Sequence, residues 1–544
     1  MLHKDRRIRE MILPVRIMQT RGNVSNVESL LREKPLQITI AEQDCALLQN
    51  GEDGQEATIV LDFGKELCGA LRCLTFRVEG CRYANVHITM GESVAEAMSS
   101  LGQKNATNDH ALRDFDWQLP AYSDMTTWES GFRFVCIRLK GKKVGLRLKS
   151  LLAVNVYEDL EYKGSFRCSD PRLNDIFDTA AYTCHLCIQD YIWDGVKRDR
   201  LVWAGDLHPE VLAIRSVFGN IPHVERTMNF LRENTPLPNW MNTYPTYSAW
   251  WLIIMSDWYL YSGNDALLEE NRDYILALTK QLTAHINDDG TDTLPRYFLD
   301  WPCHDQPAEI PGSRAVLALA MEAGAHLGKL LGEEALADLC GKKKAAMLDT
   351  ACDSCGAKQA AAMLSLAGWH NKQSAAREIL ADGAKGWSTF MSYYLLKAAS
   401  WGSMEQTLEG LRTYYGAMLD MGATSFWEDF DLTWKLGGRI DEVLAEGAPD
   451  VHGDNGAFCY KGYRHSLCHG WSSAPTAFLL EEVAGIKILA PGCKEMTVTP
   501  NLGDLEWVEA TYPTPHGIVR VTHRRNEMGR IVTTVDAPEE ITIK

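Results

Sequence analysis

The chain has 544 residues, of which 46% are hydrophobic and 23% are charged, and its net charge is −17 at pH 7. This length predicts several domains, and the composition is typical of a folded globular protein rather than a disordered one. The excess of acidic side chains argues against nucleic acid or an anionic membrane as the main partner, because both require a cationic face.

The cysteines and the N-terminal segment indicate the compartment. Fifteen cysteines are scattered without the spacing of a disulfide framework, which favours a reducing environment. The lone Cys-x-x-Cys pair, Cys352 and Cys355, lacks the second pair that a zinc site needs. The basic N-terminal segment is interrupted by Pro14 and Arg16, unlike a signal peptide, and no uncharged apolar run reaches the ~18 residues of a membrane span. We therefore expect a soluble cytoplasmic protein without a metal or other cofactor.

Residues 36–160 predict a β-sandwich domain that follows a lead segment of residues 1–35. Short runs with two-residue alternation or many β-branched side chains are separated by Gly, Asn, Asp and Ser. The predicted strands cover residues 57–63, 71–78, 84–90, 132–139 and 151–156.

Residues 161–487 predict a helical domain. Ser169, Asp170 and Pro171 combine capping residues with a first-turn proline, which indicates the start of a helix. The 3.6-residue apolar periodicity then recurs in twelve segments, at residues 170–188, 207–218, 222–233, 247–262, 265–286, 313–331, 333–350, 358–367, 373–382, 388–401, 404–420 and 473–484. Twelve helices in consecutive hairpins, several of them apolar on both faces, favour an inner and an outer ring of six helices each.

Residues 488–544 predict a small C-terminal β domain. Strand patterns return at residues 496–500, 507–512, 517–524 and 531–535. The predicted architecture is thus multidomain and mainly α, with a helical double ring between two β domains.

The stretch of residues 194–206 is the strongest candidate for chemistry. It contains the carboxylates Asp194, Asp199 and Asp206 together with Arg198 and Trp203. Alternating acids and bases suit the wall of a polar pocket, where Arg orients hydroxyl or carboxylate groups and Trp offers a flat apolar face. The alternative is an ion-paired loop between helices, because exposed charge clusters are often merely solvated.

Four further segments between the predicted helices concentrate Trp, Tyr, His and carboxylates, at residues 239–247, 296–306, 422–434 and 462–471. In a ring of hairpins alternate loops share one rim, so these segments can converge on one funnel. For three of their residues an ordinary interpretation stays open: Glu428 in an exposed acidic turn, Trp301 in the core, and His469 as a structural histidine.

These motifs together resemble the α-L-rhamnosidases of glycoside hydrolase family 78, and the resemblance covers nearly the whole chain from Leu61 onward. The matching segments are residues 61–65, 91–92, 164–170, 194–206, 299–302, 422–428, 469–471, 483–486 and 513–517. The set is specific as a whole, although each short motif alone is weak.

The resemblance implies an (α/α)6 toroid that hydrolyses terminal α-L-rhamnosides with inversion and without a catalytic metal. The family's general acid falls on Asp199 and its general base on Glu428, while its sugar-binding carboxylates fall on Asp194 and Asp206. Further matches to the sugar pocket are Arg198, Trp203, Trp301 and His469, with Trp250 or Trp251 as another aromatic wall. The chain also departs from the pattern, because many relatives have Cys-Pro where Gly195 and Val196 stand here and Glu at the position of Asp199.

The chemistry of inversion is compatible with these positions. One carboxylic acid must protonate the leaving oxygen while a carboxylate activates water on the opposite face, with roughly 6.5–9.5 Å between them. The expected partner is a rhamnoside, either a small molecule or an oligosaccharide, and association into a homo-oligomer stays open. Two alternatives stay open as well: a hydrolase of another terminal sugar, and a carbohydrate-binding relative without turnover. A phosphorylase is a remote third, because we find no phosphate-binding set of basic residues opposite the acid.

Overall fold

The computed structural model describes residues 5–434 and 437–544. Its N-terminal domain contains ten antiparallel strands and one short helix, α1 (Val94–Met98). The strands are β1 (Ile8–Ile12), β2 (Arg16–Arg21), β3 (Asn23–Ser25), β4 (Ala46–Asn50), β5 (Thr58–Glu79), β6 (Tyr83–Gly91), β7 (Asp114–Pro120), β8 (Ser123–Thr126), β9 (Ser130–Leu139) and β10 (Val144–Tyr157).

All ten strands belong to one hydrogen-bonded sheet, in which the long strand β5 has different neighbours in its two halves. Its first half lies between β2 and β9, and its second half lies between β10 and β8. The two runs predicted at residues 57–63 and 71–78 are therefore one continuous strand. The lead segment expected to precede the sandwich also contributes β1, β2 and β3, so the boundary predicted at residue 36 is wrong.

The twelve predicted helical segments are all present, and the stretch at residues 265–286 is divided into two helices. Asp170 accepts a hydrogen bond from the Arg172 N–H at 2.9 Å, as expected of the cap before Pro171. The helices are α2 (Pro171–Cys187), α3 (Leu207–Val217), α4 (Pro222–Asn234), α5 (Pro245–Ser262), α6 (Asp265–Glu270), α7 (Arg272–Ala284), α8 (Glu309–Leu330), α9 (Glu334–Leu348), α10 (Lys358–Ala367), α11 (Lys372–Leu380), α12 (Ser392–Ser400), α13 (Met404–Asp420) and α14 (Pro475–Phe478), which continues as a π turn to Val483.

Six of these helices form the inner ring. Each helix of this ring contacts the next in the order α3, α5, α8, α10, α12 and α14, and α14 contacts α3, which closes the ring. These helices are buried on nearly all sides, whereas α2, α4, α7, α9, α11 and α13 keep an exposed face and form the outer ring. Within the described residues, no helix combines the length and apolar character needed to span a membrane.

The C-terminal domain consists of two small sheets. Its strands are β12 (Ile486–Ile488), β13 (Glu495–Val498), β14 (Trp507–Thr514), β15 (Gly517–Arg525), β16 (Ile531–Asp536) and β17 (Thr542–Ile543). One sheet has the order β12-β13-β17, and the other places β11 (Ser165–Cys168), which precedes the first helix of the toroid, beside β14. The start of the helical region is thus held by the C-terminal domain.

The segments predicted to converge do lie on one rim. Residues 188–206 precede α3, residues 235–244 precede α5, residues 285–308 precede α8, and residues 421–474 precede α14. All four helices belong to the inner ring, so these segments surround the same opening at the N-terminal ends of the inner helices.

Candidate active site

The loop of residues 194–206 has no regular secondary structure, but two hydrogen bonds connect its first residue, Asp194, to Leu201. Asp194 donates its backbone N–H to the Leu201 carbonyl at 3.0 Å, and the Leu201 N–H donates to Asp194 Oδ1 at 2.9 Å. Between these two residues, Asp199 and Arg200 have positive φ angles of 47° and 53°. This left-handed backbone costs free energy in residues with a side chain, so the surrounding contacts must impose it.

The same loop is joined to the segment that precedes α14. Gly195 and His469 form an isolated antiparallel bridge, and the Gly470 N–H donates to the Asp194 carbonyl at 2.7 Å. These backbone contacts bring the His469 imidazole to the carboxylates of residues 194–206.

His469 lies among three buried carboxyl groups. Its Nε2 is 3.7 Å from Asp194 Oδ2, 3.9 Å from Asp206 Oδ2 and 4.0 Å from Glu428 Oε1. All four side chains are at most 5% exposed. The structure thus gathers four predicted site residues, from three separate segments, around one point.

Burial controls the charge of this group. It raises the pKa of Asp194 and of Asp206 well above the ordinary value, and the nearby charge of Asp199 adds to both effects. Burial also lowers the pKa of His469 far below its ordinary value, and the Arg198 charge acts in the same direction. Carboxyl groups and an imidazole gathered at one point offer hydrogen-bonding partners of the kind that sugar hydroxyl groups require.

Arg198 links the two residues expected to perform acid–base chemistry. Its Nη1 donates to Asp199 Oδ1 at 2.9 Å, its Nη2 donates to Glu428 Oε1, and its Nε donates to the Arg464 carbonyl at 2.9 Å. Glu428 is 4% exposed and also accepts the Ser466 N–H at 3.2 Å. Glu428 is therefore not part of an exposed acidic turn, and one guanidinium group fixes the relative position of the two carboxyl groups.

Asp199 is more accessible than Asp194, Asp206 and Glu428, whose side chains are 3–5% exposed. Its side chain is 20% exposed. Its backbone N–H donates to Nδ1 of His110, a residue of the β-sandwich domain, at 3.1 Å. The N-terminal domain therefore reaches the candidate acid. Nothing in the spacing of the sequence predicted a role for His110.

A chain of aromatic rings connects the two tryptophans expected in the pocket wall. Trp203 packs edge to face against Tyr247, Tyr247 against Phe298, and Phe298 against Trp301. The distances between the ring centroids are 6.1, 5.8 and 5.3 Å. Tyr247 also donates its hydroxyl to Asp206 Oδ1 at 3.2 Å, which joins the wall to the carboxyl group. Trp203 and Trp301 are both half-buried, so part of each indole is accessible.

Trp250 and Trp251 are not brought to this group, contrary to expectation. Both lie within α5 and are 2% and 0% exposed. Trp251 donates its indole N–H to the Met228 carbonyl at 3.0 Å inside the core. Trp250 stacks on His208 and lines a different cavity of about 460 Å³ between the inner helices and the C-terminal domain. The physical reason is that α5 is buried on nearly every face.

Three acidic residues near the site were not among the predicted ones. Glu210, one helical turn after Asp206, is fully buried with no partner for its Oε1, and burial raises its pKa well above the ordinary value. Burial raises the pKa of Asp300 to about 7 and that of Asp429 to about 8. The four-residue spacing between Asp206 and Glu210 was a usable signal, as were the positions of Asp300 and Asp429 beside Trp301 and Glu428.

Among residues 5–434 and 437–544, two groups of side chains have the residue types of a metal site. In the first, the ammonium group of Lys197 lies 3.0 Å from Glu92 and 3.2 Å from Glu96, and it supplies the positive charge beside these carboxylates and His452. In the second, His304, Asp305 and Glu309, the histidine contacts Glu309 at 2.8 Å and Asp305 is exposed.

Two segments of the chain match family models. Residues 161–344 match the bacterial α-L-rhamnosidase six-hairpin glycosidase domain, and residues 485–544 match the bacterial α-L-rhamnosidase C-terminal domain. The resemblance that the motifs indicated is therefore confirmed. No curated protein matches the sequence.

Solved structures of rhamnosidases share the fold. A family 78 rhamnosidase of Bacillus sp. GL1 has a TM-score of 0.76 at 22% identity, over 94% of this chain and 55% of that chain. A rhamnosidase from Klebsiella oxytoca with rhamnose bound has a TM-score of 0.66 at 18% identity, and the match covers 87% of this chain and 96% of that chain. The α-L-rhamnosidase of Streptomyces avermitilis complexed with L-rhamnose has a TM-score of 0.68 at 17% identity, and the match covers 91% of this chain and 49% of that chain. The chain thus spans about half the length of the Bacillus and Streptomyces proteins.

Proposed function

We propose that this protein is an exo-acting α-L-rhamnosidase that works by an inverting general acid/general base mechanism. The observation that carries the proposal is the contact of Arg198 with both Asp199 and Glu428, beside the pocket formed by Asp194, Asp206 and His469. Two differently placed carboxyl groups at one sugar pocket are the minimum requirement for glycoside hydrolysis.

In this mechanism Asp199 is the acid and Glu428 is the base. Asp199 donates its proton to the glycosidic oxygen, and the bond between that oxygen and the anomeric carbon breaks. A water molecule attacks the anomeric carbon from the opposite face and gives a proton to Glu428. The partial exposure of Asp199 suits the side from which the leaving group departs, whereas the burial of Glu428 suits the side of the held water.

The composition of the pocket supports a deoxy sugar as substrate. Asp194 and Asp206, which lie 3.7 and 3.9 Å from His469 Nε2, offer together with that imidazole hydrogen-bonding groups for the ring hydroxyl groups of the sugar. Trp203 and Trp301 offer apolar surface for the methyl group at C6 of rhamnose. We place the aglycone outside this pocket, on the side of Asp199.

A panel of nitrophenyl glycosides tests the activity and the sugar. We expect nitrophenol release from the α-L-rhamnoside in preference to the other sugars. NMR of the first-formed product should show the anomer opposite to that of the substrate. Retained configuration, or azide rescue of Glu428→Ala with retention, would contradict inversion. Hydrolysis of a different glycoside alone would keep the mechanism and reject the sugar.

The same assay addresses the cofactor and the compartment. We propose that no metal takes part and that the protein acts in the cytoplasm, where its fifteen unpaired cysteines stay reduced. Activity should therefore persist in both EDTA and reductant. Loss of activity in EDTA that zinc or calcium restores would overturn the metal-independent mechanism.

A carbohydrate-binding protein without turnover is the second candidate. It is favoured by the shorter acid, because Asp199 stands where many relatives have Glu. Tight binding of L-rhamnose in calorimetry, together with no hydrolysis of any rhamnoside, would select this alternative.

A further inference from the structure

Glu92 belongs to the β-sandwich domain but contacts the loop that carries the candidate active site. It follows β6 directly, and its side chain is 0% exposed. Its Oε2 accepts the backbone N–H of Leu467 at 2.5 Å, and its Oε1 accepts the hydroxyl group of Ser466 at 3.2 Å. One carboxylate of the N-terminal domain therefore holds two consecutive residues of the toroid.

Ser466 in turn holds Glu428 by its backbone. The Ser466 N–H donates to Glu428 Oε2 at 3.2 Å, and the Glu428 N–H donates to the Ser466 carbonyl at 3.0 Å. Only one residue thus separates Glu92 from the candidate base. A displacement of Ser466 would change the direction of the Glu428 carboxylate.

A buried lysine connects the same carboxylate to the candidate acid. Lys197, 0% exposed, lies 3.0 Å from Glu92 Oε2 and donates to the Tyr463 carbonyl at 2.8 Å. The next residue along the chain is Arg198, which contacts both Asp199 and Glu428. The ion pair of Glu92 and Lys197 is therefore attached to both parts of the acid–base machinery.

We propose that Glu92, together with Lys197, is a positioning residue for Glu428, and that the β-sandwich domain is in this way a working part of the active site. The inference rests on the proposed hydrolase function. Burying such a pair costs desolvation free energy, and apolar replacements are often as stable, so stability alone gives little reason to keep it. A defined geometry of the base gives a reason, because a displacement of about 1 Å can cost about 100-fold in rate.

The test uses the charge-balanced double variant Glu92→Gln/Lys197→Met in the full-length protein. Removing both charges avoids leaving one of them buried without its partner. The control is Glu481→Gln, which removes a carboxylate from a buried ion pair with Arg215 outside the candidate site and, unlike the double variant, leaves the partner charge in place. A milder variant, Ser466→Ala, removes the hydroxyl group that contacts Glu92 and the Cys468 backbone but keeps both charges of the ion pair.

For the double variant we expect kcat to fall by about 100-fold, to the same extent on nitrophenyl rhamnoside and on an unactivated rhamnoside, since water activation is needed for both. The Kd of L-rhamnose should stay within about twofold of the wild type, because the pocket side chains are unchanged. Glu481→Gln should lose stability but keep kcat. A folded double variant with near wild-type kcat would overturn the proposal.

Two further measurements keep the inference falsifiable. If the double variant does not fold, Ser466→Ala must lower kcat by several-fold, and an unchanged kcat would refute the positioning role. If the wild-type protein hydrolyses no rhamnoside, the proposed function fails separately. A crystal structure of the double variant then decides the positioning role, because the separation between Ser466 N and Glu428 Oε2 should exceed hydrogen-bonding distance.

Discussion

Replacing Asp199 by Asn isolates the acid from the rest of the site. The amide has nearly the same shape as the carboxyl group, and Glu428 remains as a partner of Arg198. The Asp199 side chain is also 20% exposed, so the substitution does not create a buried defect. The folded structure should therefore persist while the transferable proton is lost.

The size of the effect depends on the leaving group. General acid catalysis contributes about 10²- to 10⁴-fold, or about 2.7–5.5 kcal/mol of barrier, when the departing oxygen needs a proton. Asp199→Asn should therefore lower kcat/KM on a rhamnosyl disaccharide by that factor. It should change kcat/KM on dinitrophenyl rhamnoside by less than about tenfold, because that leaving group departs without protonation.

The assay is steady-state kinetics on both substrates, with Glu428→Gln as the matched control. Glu428→Gln should slow both substrates to a similar extent, because every turnover needs an activated water molecule. Equal losses on both substrates for Asp199→Asn would refute the assignment of the acid. A folded Asp199→Asn protein that bound L-rhamnose normally would exclude misfolding as the cause.

Three further predictions concern the pocket and its support. Trp203→Ala or Trp301→Ala should weaken L-rhamnose binding by about 1–3 kcal/mol in calorimetry. The wild-type protein should bind L-mannose, which has one more hydroxyl group, more weakly than L-rhamnose. Gly470→Ala should destabilise the protein by about 1–3 kcal/mol in denaturant unfolding, because the added Cβ would lie 1.7 Å from Oε1 of buried Glu210. Unchanged stability would contradict that contact. The pKa of Asp300 is raised to about 7 in the folded protein, against about 3.9 in the unfolded chain. The protonated carboxyl group therefore contributes stability that is present below pH ~4 and is lost as the pH rises through ~7. The Tm of Asp300→Asn should vary less with pH over that range than the Tm of the wild type.

The architecture was predictable because its signals are local. Each of the twelve helical segments has its own periodicity, and cap residues such as Asp170 mark the boundaries. The five predicted strands of the sandwich also correspond to observed strands. The merging of two of them into β5 was not predictable, because Gly64 and Gly69 read as turn residues although the strand runs through both.

The composition of the site was only partly predictable. Asp194 and Asp206 share one short loop, so their proximity could be expected from the sequence. Glu92 and His110 come from another domain, and no spacing rule relates Glu92 to Leu467, 375 positions away, or His110 to Asp199, 89 positions away. The prediction for Trp250 was wrong for a different reason: an inner helix is apolar on all sides, so its sequence does not distinguish an aromatic ring at the candidate site from one at another cavity.

The pairing of β11 with β14 has a consequence for how the chain folds. Ser165 pairs with Thr511, and Cys168 pairs with Val508, so the contact closes a loop of more than 300 residues. Such non-local pairing forms late, because the intervening chain must first lose much of its freedom. During synthesis, the edge of β11 therefore stays unsatisfied until the C-terminal domain has left the ribosome. Deleting residues 486–544 should leave all helices of the ring in the chain but remove the partner of β11, and the exposed strand edge predicts aggregation of the truncated chain rather than a smaller active enzyme.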